Sequence, residues 1–279
     1  MKDLVITAAS NYDWPPLNSF AISLSRSGFE GTKLLLSQSL TQYTLNRLQE
    51  LGFTLGNHKV VSGNFFVDRY ASAIEYLNDH SGEFRYVLWV DCRDLVFQSN
   101  PSAWLEQHLS PSKVLGCSMG LLIKDDATES TWVNTLVGAE THAWLKDEEA
   151  LCSGTIAGEA STVLEVLSEV YRLGIDSNKK NPEWTLGVDE AALNYVLRTE
   201  PFKSVMRVPR MYEGFTASCT SYLRECFANS PWQDNKPWID AAGLVYPEGK
   251  TIPFSILHQY DRDQSWYARV YSRYLGMSA

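Results

Sequence analysis

Apolar positions fall into short blocks whose spacing alternates between strand-like runs and a helical period, the pattern of strands separated by amphipathic helices. LVITAAS (4–10) reads as a strand. PPLNSFAISLSRSG (15–28) puts Leu17, Phe20, Ala21 and Leu24 on one helical face and stops at Gly28. KLLLSQ (33–38) predicts a second strand. SLTQYTLNRLQELG (39–52) predicts a helix with a capping box of Ser39 and Gln42 and a stop at Gly52. KVVSG (59–63) reads as a third strand, DRYASAIEYLND (68–79) as a helix and YVLWV (86–90) as a fourth strand.

The second half is less regular. KVLGCSM (113–119), LLIK (121–124) and LCSGTIAG (151–158) read as strands, as do KSVMRVP (203–209) and TIPFSILHQY (251–260) late in the chain. TESTWVNTLVGAETHAWL (128–145) predicts a helix weakened by Gly138; ASTVLEVLSEVYRLG (160–174) and GVDEAALNYVLRT (187–199) predict stronger ones. Strand–helix units in this order predict an α/β fold with a mostly parallel central sheet and helices on both faces. No internal repeat or low-complexity linker divides the 279 residues, so one domain over 1–279 is expected.

Composition narrows the class. A formal charge of −9 argues against a nucleic-acid partner, which needs a basic surface to displace counterions. The first strand follows Met1 with no charged-then-apolar leader, and no run approaches the ~20 apolar residues of a transmembrane segment. A cytoplasmic chain is expected, with a place at a membrane periphery or within a longer protein as the alternatives. Five cysteines without a CxxC pair indicate neither a disulfide framework nor a zinc site. Cys219 and Cys226 are spaced to bridge, but reduced thiols suit that compartment better.

The candidate chemistry starts where YVLWV ends. Asp91 and Asp94 follow at the strand's carboxyl end, the edge where open α/β sheets bind ligands. Residues at i and i+3 of an extended chain face opposite ways, so both acids reach one ligand only if the chain turns as it leaves the strand. Two carboxylates plus substrate phosphate oxygens suffice for Mg²⁺ or Mn²⁺, whereas loop capping and a local pair with Arg93 explain the same residues without a ligand. His258 closes a late apolar run and suits either an inert core position or a metal. Asp189 and Glu190 favour a helix N-terminus electrostatically, or present carboxylates to a pocket with Asn194 one turn on to bind sugar hydroxyls. Gly154 and Gly158 permit a tight strand-to-helix turn, or a close approach of backbone to a sugar or phosphate.

Together these segments resemble the GT-A glycosyltransferases, the superfamily with a DxD motif that uses nucleotide sugars. RYVLWVDCRDLVFQSNP is similar to the D-x-R-D form of that motif, DEAALNYVL to a D-Q-x-x-L-N helix, and ILHQYDR to a C-terminal histidine segment; the likeness runs from about residue 4 to 262. It implies a GT-A-like fold, with a nucleotide-binding half over about 1–100 and a donor-sugar and acceptor half over about 101–279. It implies transfer from a nucleotide sugar, UDP-linked on base rate, to a hydroxyl acceptor such as a glycan, with Mn²⁺ or Mg²⁺ on the diphosphate. Asp91, Asp94 and His258 would hold the metal. Thr7, Ala8, Tyr12, Arg69, Asp91, Gly154 and Asn194 would contact the donor, and Asp189 and Glu190 would act at the sugar. The spacing here is D-x-x-D, which leaves open which acid holds metal, and Glu190 stands where Gln is commoner. Asp240 is a third candidate base, and 210–250 is the expected acceptor region. The alternatives are a non-catalytic carbohydrate- or nucleotide-binding protein on this scaffold, or an aspartyl phosphohydrolase. The latter places its acid after the first strand, where this chain has none before Asp13. The lack of GxGxxG after the first strand argues against a dinucleotide enzyme.

Overall fold

In the computed structural model, which describes residues 1–219 and 236–275, the first half runs as β1 (Lys2–Ser10), α1 (Trp14–Arg26), β2 (Thr32–Gln38), α2 (Gln42–Glu50), β3 (Phe53–Asn57), α3 (Phe65–Asp79) and β4 (Phe84–Val90). There follow β5 (Leu95–Phe97), α4 (Pro101–His108), β6 (Val114–Leu122), α5 (Ala127–Leu145), β7 (Glu149–Glu159), α6 (Ala160–Lys180) and α7 (Val188–Val196). The chain closes with β8 (Met206–Arg207), β9 (Thr216–Ser218), β10 (Trp238–Ile239), β11 (Val245–Tyr246), β12 (Ile256–His258) and α8 (Gln264–Leu275). The central sheet has the order β3-β2-β1-β4-β7-β6-β8, and within it β7 alone runs against its neighbours. A three-stranded sheet, β5-β12-β9, adjoins its carboxyl edge, and β10 and β11 form a small hairpin.

Alternation along the strands explains the two covered faces. Leu4 and Ile6 of β1 and Val87 and Trp89 of β4 pack with Tyr70 and Ala73 of α3 and Val166 and Val170 of α6. Val5, Ala9, Leu88 and Val90 point the other way, onto Leu17, Phe20 and Leu24 of α1 and Leu105 of α4. Each such fully buried aliphatic side chain contributes about 1.5–3 kcal/mol relative to exposure. Among the described residues no helix is long and apolar enough to cross a membrane.

Several sequence expectations are corrected. KVVSG is a loop: Val60 and Val61 are exposed, and Asp68 accepts from the amides of Val61, Ser62 and Gly63, which a ladder would need. The third strand is Phe53–Asn57 instead. Residues 113–124 give one strand, β6, because its backbone continues through Gly120. The cap of α2 is Thr41, whose side chain accepts from the Thr44 amide, rather than a Ser39–Gln42 box. Gly138 does interrupt α5, at φ 80° and ψ 168°. Gly154 and Gly158 lie inside β7, which runs on to Glu159, so neither makes the expected turn. The four described cysteines outside any bridge, Cys92, Cys117, Cys152 and Cys219, are buried; Cys226 lies outside the described residues.

Candidate active site

The carboxyl ends of β1 and β4, the β7 segment beside them and the N-terminus of α7 enclose a cavity of about 360 Å³. Its position follows from the sheet. Chain connections leave the parallel strands at this edge, and the antiparallel β7 threads back across it, bringing Cys152, Ser153 and Gly154 to the opening left beside β4. The Asp91 amide donates to the Gly154 carbonyl at 2.9 Å, extending the ladder by one residue beyond β4.

At the cavity floor the chain turns sharply. Residues 91–94 leave the central sheet, and β5 enters the small one, pairing antiparallel with β12 so that Leu95 opposes His258. Asp94 is thus held beside the end of β12, its carbonyl accepting from the Gln259 amide at 2.7 Å. Donor atoms of Asp91, Asp94 and His258 all lie within 4.8 Å of one another. His258 Nε2 is 3.3 Å from Asp91 Oδ2 and 3.5 Å from Asp94 Oδ1, yet it is buried and in hydrogen-bonding geometry with neither. A buried ring nitrogen facing two carboxylate oxygens fits a divalent ion, and an O,O,N donor set suits Mg²⁺ or Mn²⁺. On the far side of the ring, Cys152 Sγ sits 3.4 Å from Nδ1.

Charge is arranged around that cluster. Arg69, almost wholly buried, bridges two acids: Nη1 to Asp91 Oδ1 and Nη2 to Asp189 Oδ2, both at 2.6 Å. Tyr70 donates to the same Asp189 oxygen at 3.3 Å. Burial works against the charged form of Asp91, but Arg69 and His258 outweigh it and hold the carboxyl far below its ordinary value. Asp94 is also lowered, with His258 and Arg93 acting against its burial. Its Oδ2 takes Arg93 at 2.6 Å and Arg262 at 3.4 Å, while Oδ1 faces His258. Burial opposes a charged His258, yet Cys152, Asp91 and Asp94 together push it well above its ordinary value.

Gly154 is required here by space. A Cβ at that position would lie 2.3 Å from His258 Cε1 and 2.6 Å from Asp91 Oδ2, so any side chain would displace the cluster. Gly187, at φ 80° just before α7, likewise lets the indole of Trp132 lie against its α-carbon.

The structure thus gathers Ala8, Tyr12, Arg69, Asp91, Asp94, Asp189, Glu190 and His258 around one cavity, with Gly154 directly behind the acids. Three candidates are placed elsewhere. Thr7 is buried beneath the cavity, one residue before the lining. Asn194 is spent on backbone: its Oδ1 accepts from the Leu151 amide and its Nδ2 donates to the Leu151 carbonyl, both at 2.9 Å, fixing α7 to β7. Asp240 caps the β10–β11 turn through the amides of Ala242 and Leu244. Of the expected acceptor region, 220–235 lies outside the described residues. Sequence reasoning gave Glu129 and Arg262 no role, and took Arg93 only as a local partner of the acids and Trp132 only as one of many tryptophans; all four also line the cavity. Arg93 sits inside the D-x-x-D segment and Arg262 in the turn after His258, so position alone pointed to both. Glu129 and Trp132 lie in α5, whose pattern carries no such signal.

No protein-family model and no curated protein matches the chain by sequence. Solved structures do match by shape. An active-site mutant of LgtC superposes with a TM-score of 0.61 at 13% identity, covering 98% of this chain and 95% of that one. The galactosyltransferase LgtC in complex with donor and acceptor sugar analogues gives 0.59 at 11% identity, covering 99% and 96%. The chain therefore has the GT-A-like α/β fold expected from its sequence.

Proposed function

We propose that this protein is a metal-dependent glycosyltransferase, moving a sugar from a nucleoside diphosphate donor, UDP by preference, to a hydroxyl acceptor such as a glycan. The observation that carries the reading is the convergence of Asp91, Asp94 and His258 in one cavity with Asp189 and Glu190, joined through Arg69. A second strand of support is the fold shared over nearly the whole chain with LgtC, a galactosyltransferase. In this reading residues up to about 100 serve the nucleotide and those beyond serve the sugars.

Asp91, Asp94 and His258 would hold Mn²⁺ or Mg²⁺, which supplies Lewis-acid stabilisation of charge on the departing diphosphate. The remaining roles belong to this chain's own groups. Arg93 and Arg262 keep the Asp94 carboxylate ionised and oriented from outside the cluster, and their charge moderates the repulsion an acidic protein exerts on a diphosphate. Ala8 and Tyr12 form the wall on the nucleotide side. Arg69 fixes the spacing between Asp91 at the diphosphate and Asp189 at the sugar, so that leaving group and transferred group are positioned by one rigid unit. Glu190, held by the Ser153 amide at 3.2 Å, faces the sugar beside Asp189.

The test is a thermal-shift panel of UDP, GDP, CMP and dTDP with and without Mn²⁺. Ligand at ~100 times its Kd adds ~2.7 kcal/mol, a readily visible shift. A shift for one nucleotide that needs Mn²⁺, and that is lost in Asp94→Ala while the variant stays folded, is expected. An Asp94→Ala variant that binds nucleotide and Mn²⁺ like wild type would end the metal assignment. Tight donor binding with no transfer to any acceptor would favour a binding module on the same scaffold.

A further inference from the structure

Cys152 has no part in the reaction described above, yet it touches the histidine of the metal cluster. His258 Nε2 is buried without a hydrogen bond, 3.3 Å from Asp91 Oδ2 and 3.5 Å from Asp94 Oδ1. The other ring nitrogen, Nδ1, meets Cys152 Sγ at 3.4 Å. Between the two nitrogens, Cε1 lies against Gly154, where a Cβ would come within 2.3 Å of it. Residues 152 and 154 are two apart on β7 and so face the same way, one reaching the ring with sulfur and the other leaving it room. The backbone of His258 is fixed in turn by β12, paired with Leu95 on one side and Ser218 on the other. Both nitrogens of the imidazole therefore face defined partners.

A ring that gives the Nε2 lone pair to an ion must carry its single proton on Nδ1. The group facing Nδ1 must then be an acceptor. Resting on the metal-dependent glycosyltransferase reading, we propose that Cys152 Sγ accepts a hydrogen bond from His258 Nδ1–H and so sets the tautomer and orientation that present Nε2 to the ion. Cys152 is then a positioning residue, acting on the metal site through His258. Histidines that bind metals almost always give this proton to a carboxylate, a backbone carbonyl or water. Sulfur is a weaker acceptor, so it orients the ring while adding little to the basicity of Nε2. The negative charge that a divalent ion needs comes instead from Asp91 and Asp94, across the ring from the thiol. Cys152 is 3% exposed, which keeps water from competing for Nδ1.

The experiment reads the tautomer and the affinity separately. Protein carrying isotope-labelled histidine is observed by nitrogen NMR with Mg²⁺ and UDP, the His258 signals being assigned by their absence in His258→Ala. In wild type the proton is expected on Nδ1 and slow to exchange, with Nε2 unprotonated. Cys152→Ala should lose that protection from exchange. Its folded form should bind Mn²⁺ about tenfold more weakly in titration calorimetry, the lower end of what the loss of a ligand-orienting group costs. Cys152→Ser retains a side-chain acceptor and should recover part of this loss. A loaded wild type with its proton on Nε2, wild-type Mn²⁺ affinity in Cys152→Ala, or a loss in Cys152→Ser as large as in Cys152→Ala overturns the proposal. The wild-type tautomer decides the matter even where a variant fails to fold. Failure of wild type to bind Mn²⁺ or any nucleotide instead overturns the glycosyltransferase reading on which the proposal rests.

Discussion

Replacing Gly154 by alanine tests the site more sharply than removing a ligand, because it leaves every proposed metal donor in the chain. The added Cβ would meet His258 Cε1 at 2.3 Å and Asp91 Oδ2 at 2.6 Å. Ordinary contacts to carbon lie near 3.5–4.0 Å, so the histidine ring must retreat by about 1 Å or more. Metal–ligand distances tolerate about 0.2 Å, a fraction of that displacement. Mn²⁺ affinity should therefore fall by about 10–100-fold or more, the range seen when groups that orient ligands are lost. In free energy that is about 1.4–2.7 kcal/mol.

A fold defect could mimic this result, since overpacking a core costs typically about 1–3 kcal/mol by itself. Gly158 provides the control, four residues along the same strand. A Cβ there would strike the Lys113 carbonyl oxygen at 2.2 Å, in backbone well away from the acids. Gly158→Ala should lower the urea midpoint and leave the Mn²⁺ affinity of the folded protein intact. Gly154→Ala should weaken Mn²⁺ at temperatures where it is fully folded. Titration calorimetry under native conditions separates the two. Wild-type Mn²⁺ affinity in Gly154→Ala would refute the claim that Asp91 and His258 share an ion in front of this glycine.

Other expectations follow from the charges around the cavity. Arg69→Met leaves the buried Asp189 carboxylate and the partly buried Asp91 carboxylate without their shared cation and should cost about 3–5 kcal/mol in urea unfolding. A ring nitrogen binds metal only when unprotonated, and the folded metal-free protein favours protonated His258. Mn²⁺ affinity should accordingly rise with pH, by up to about tenfold per unit, until the ring's raised value is passed, with proton release visible in weakly buffered titrations. Affinity independent of pH would remove His258 from the ligand set. Asn194→Ala strands the Leu151 amide and carbonyl and should cost about 1–3 kcal/mol for each, yet leave UDP affinity unchanged at low temperature. A selective loss of UDP-sugar binding would restore the sugar-contact role suggested by its position in the sequence.

The parallel sheet was legible because its strands are continuous apolar blocks and its helices repeat cleanly, as LVITAAS and the segment around Leu17, Phe20 and Leu24 do. Errors came where local chemistry overrode propensity. KVVSG has β-branched residues and no strand, because Asp68 claims its amides. TIPFSILHQY reads as ten residues of strand, but ladder pairing is confined to Ile256–His258. Asn194 looked like a sugar ligand because a carboxamide on a helix does not reveal its partner. Here the partner is the backbone of β7, some forty residues away in sequence, and no local pattern encodes that.

The unusual spacing of the two acids has a structural reason. In a motif with one intervening residue, both acids can stay on one side of a continuing strand. Here β4 ends at Val90, and Asp91 stays in register with the central sheet through the Gly154 carbonyl. Asp94 instead belongs to the small sheet, bonded through its carbonyl to Gln259 and set directly before the Leu95–His258 pair. Cys92 turns inward to the Ala8 carbonyl and Arg93 outward to Asp94 and Asp261, so the two intervening residues make the corner between sheets. Deleting one of them should pull Asp94 out of register with β12 and abolish Mn²⁺ binding, even though it restores the commoner D-x-D spelling. Mn²⁺ binding retained in such a deletion, measured by calorimetry on folded protein, would show that the acids are set by local sequence rather than by the junction of the two sheets.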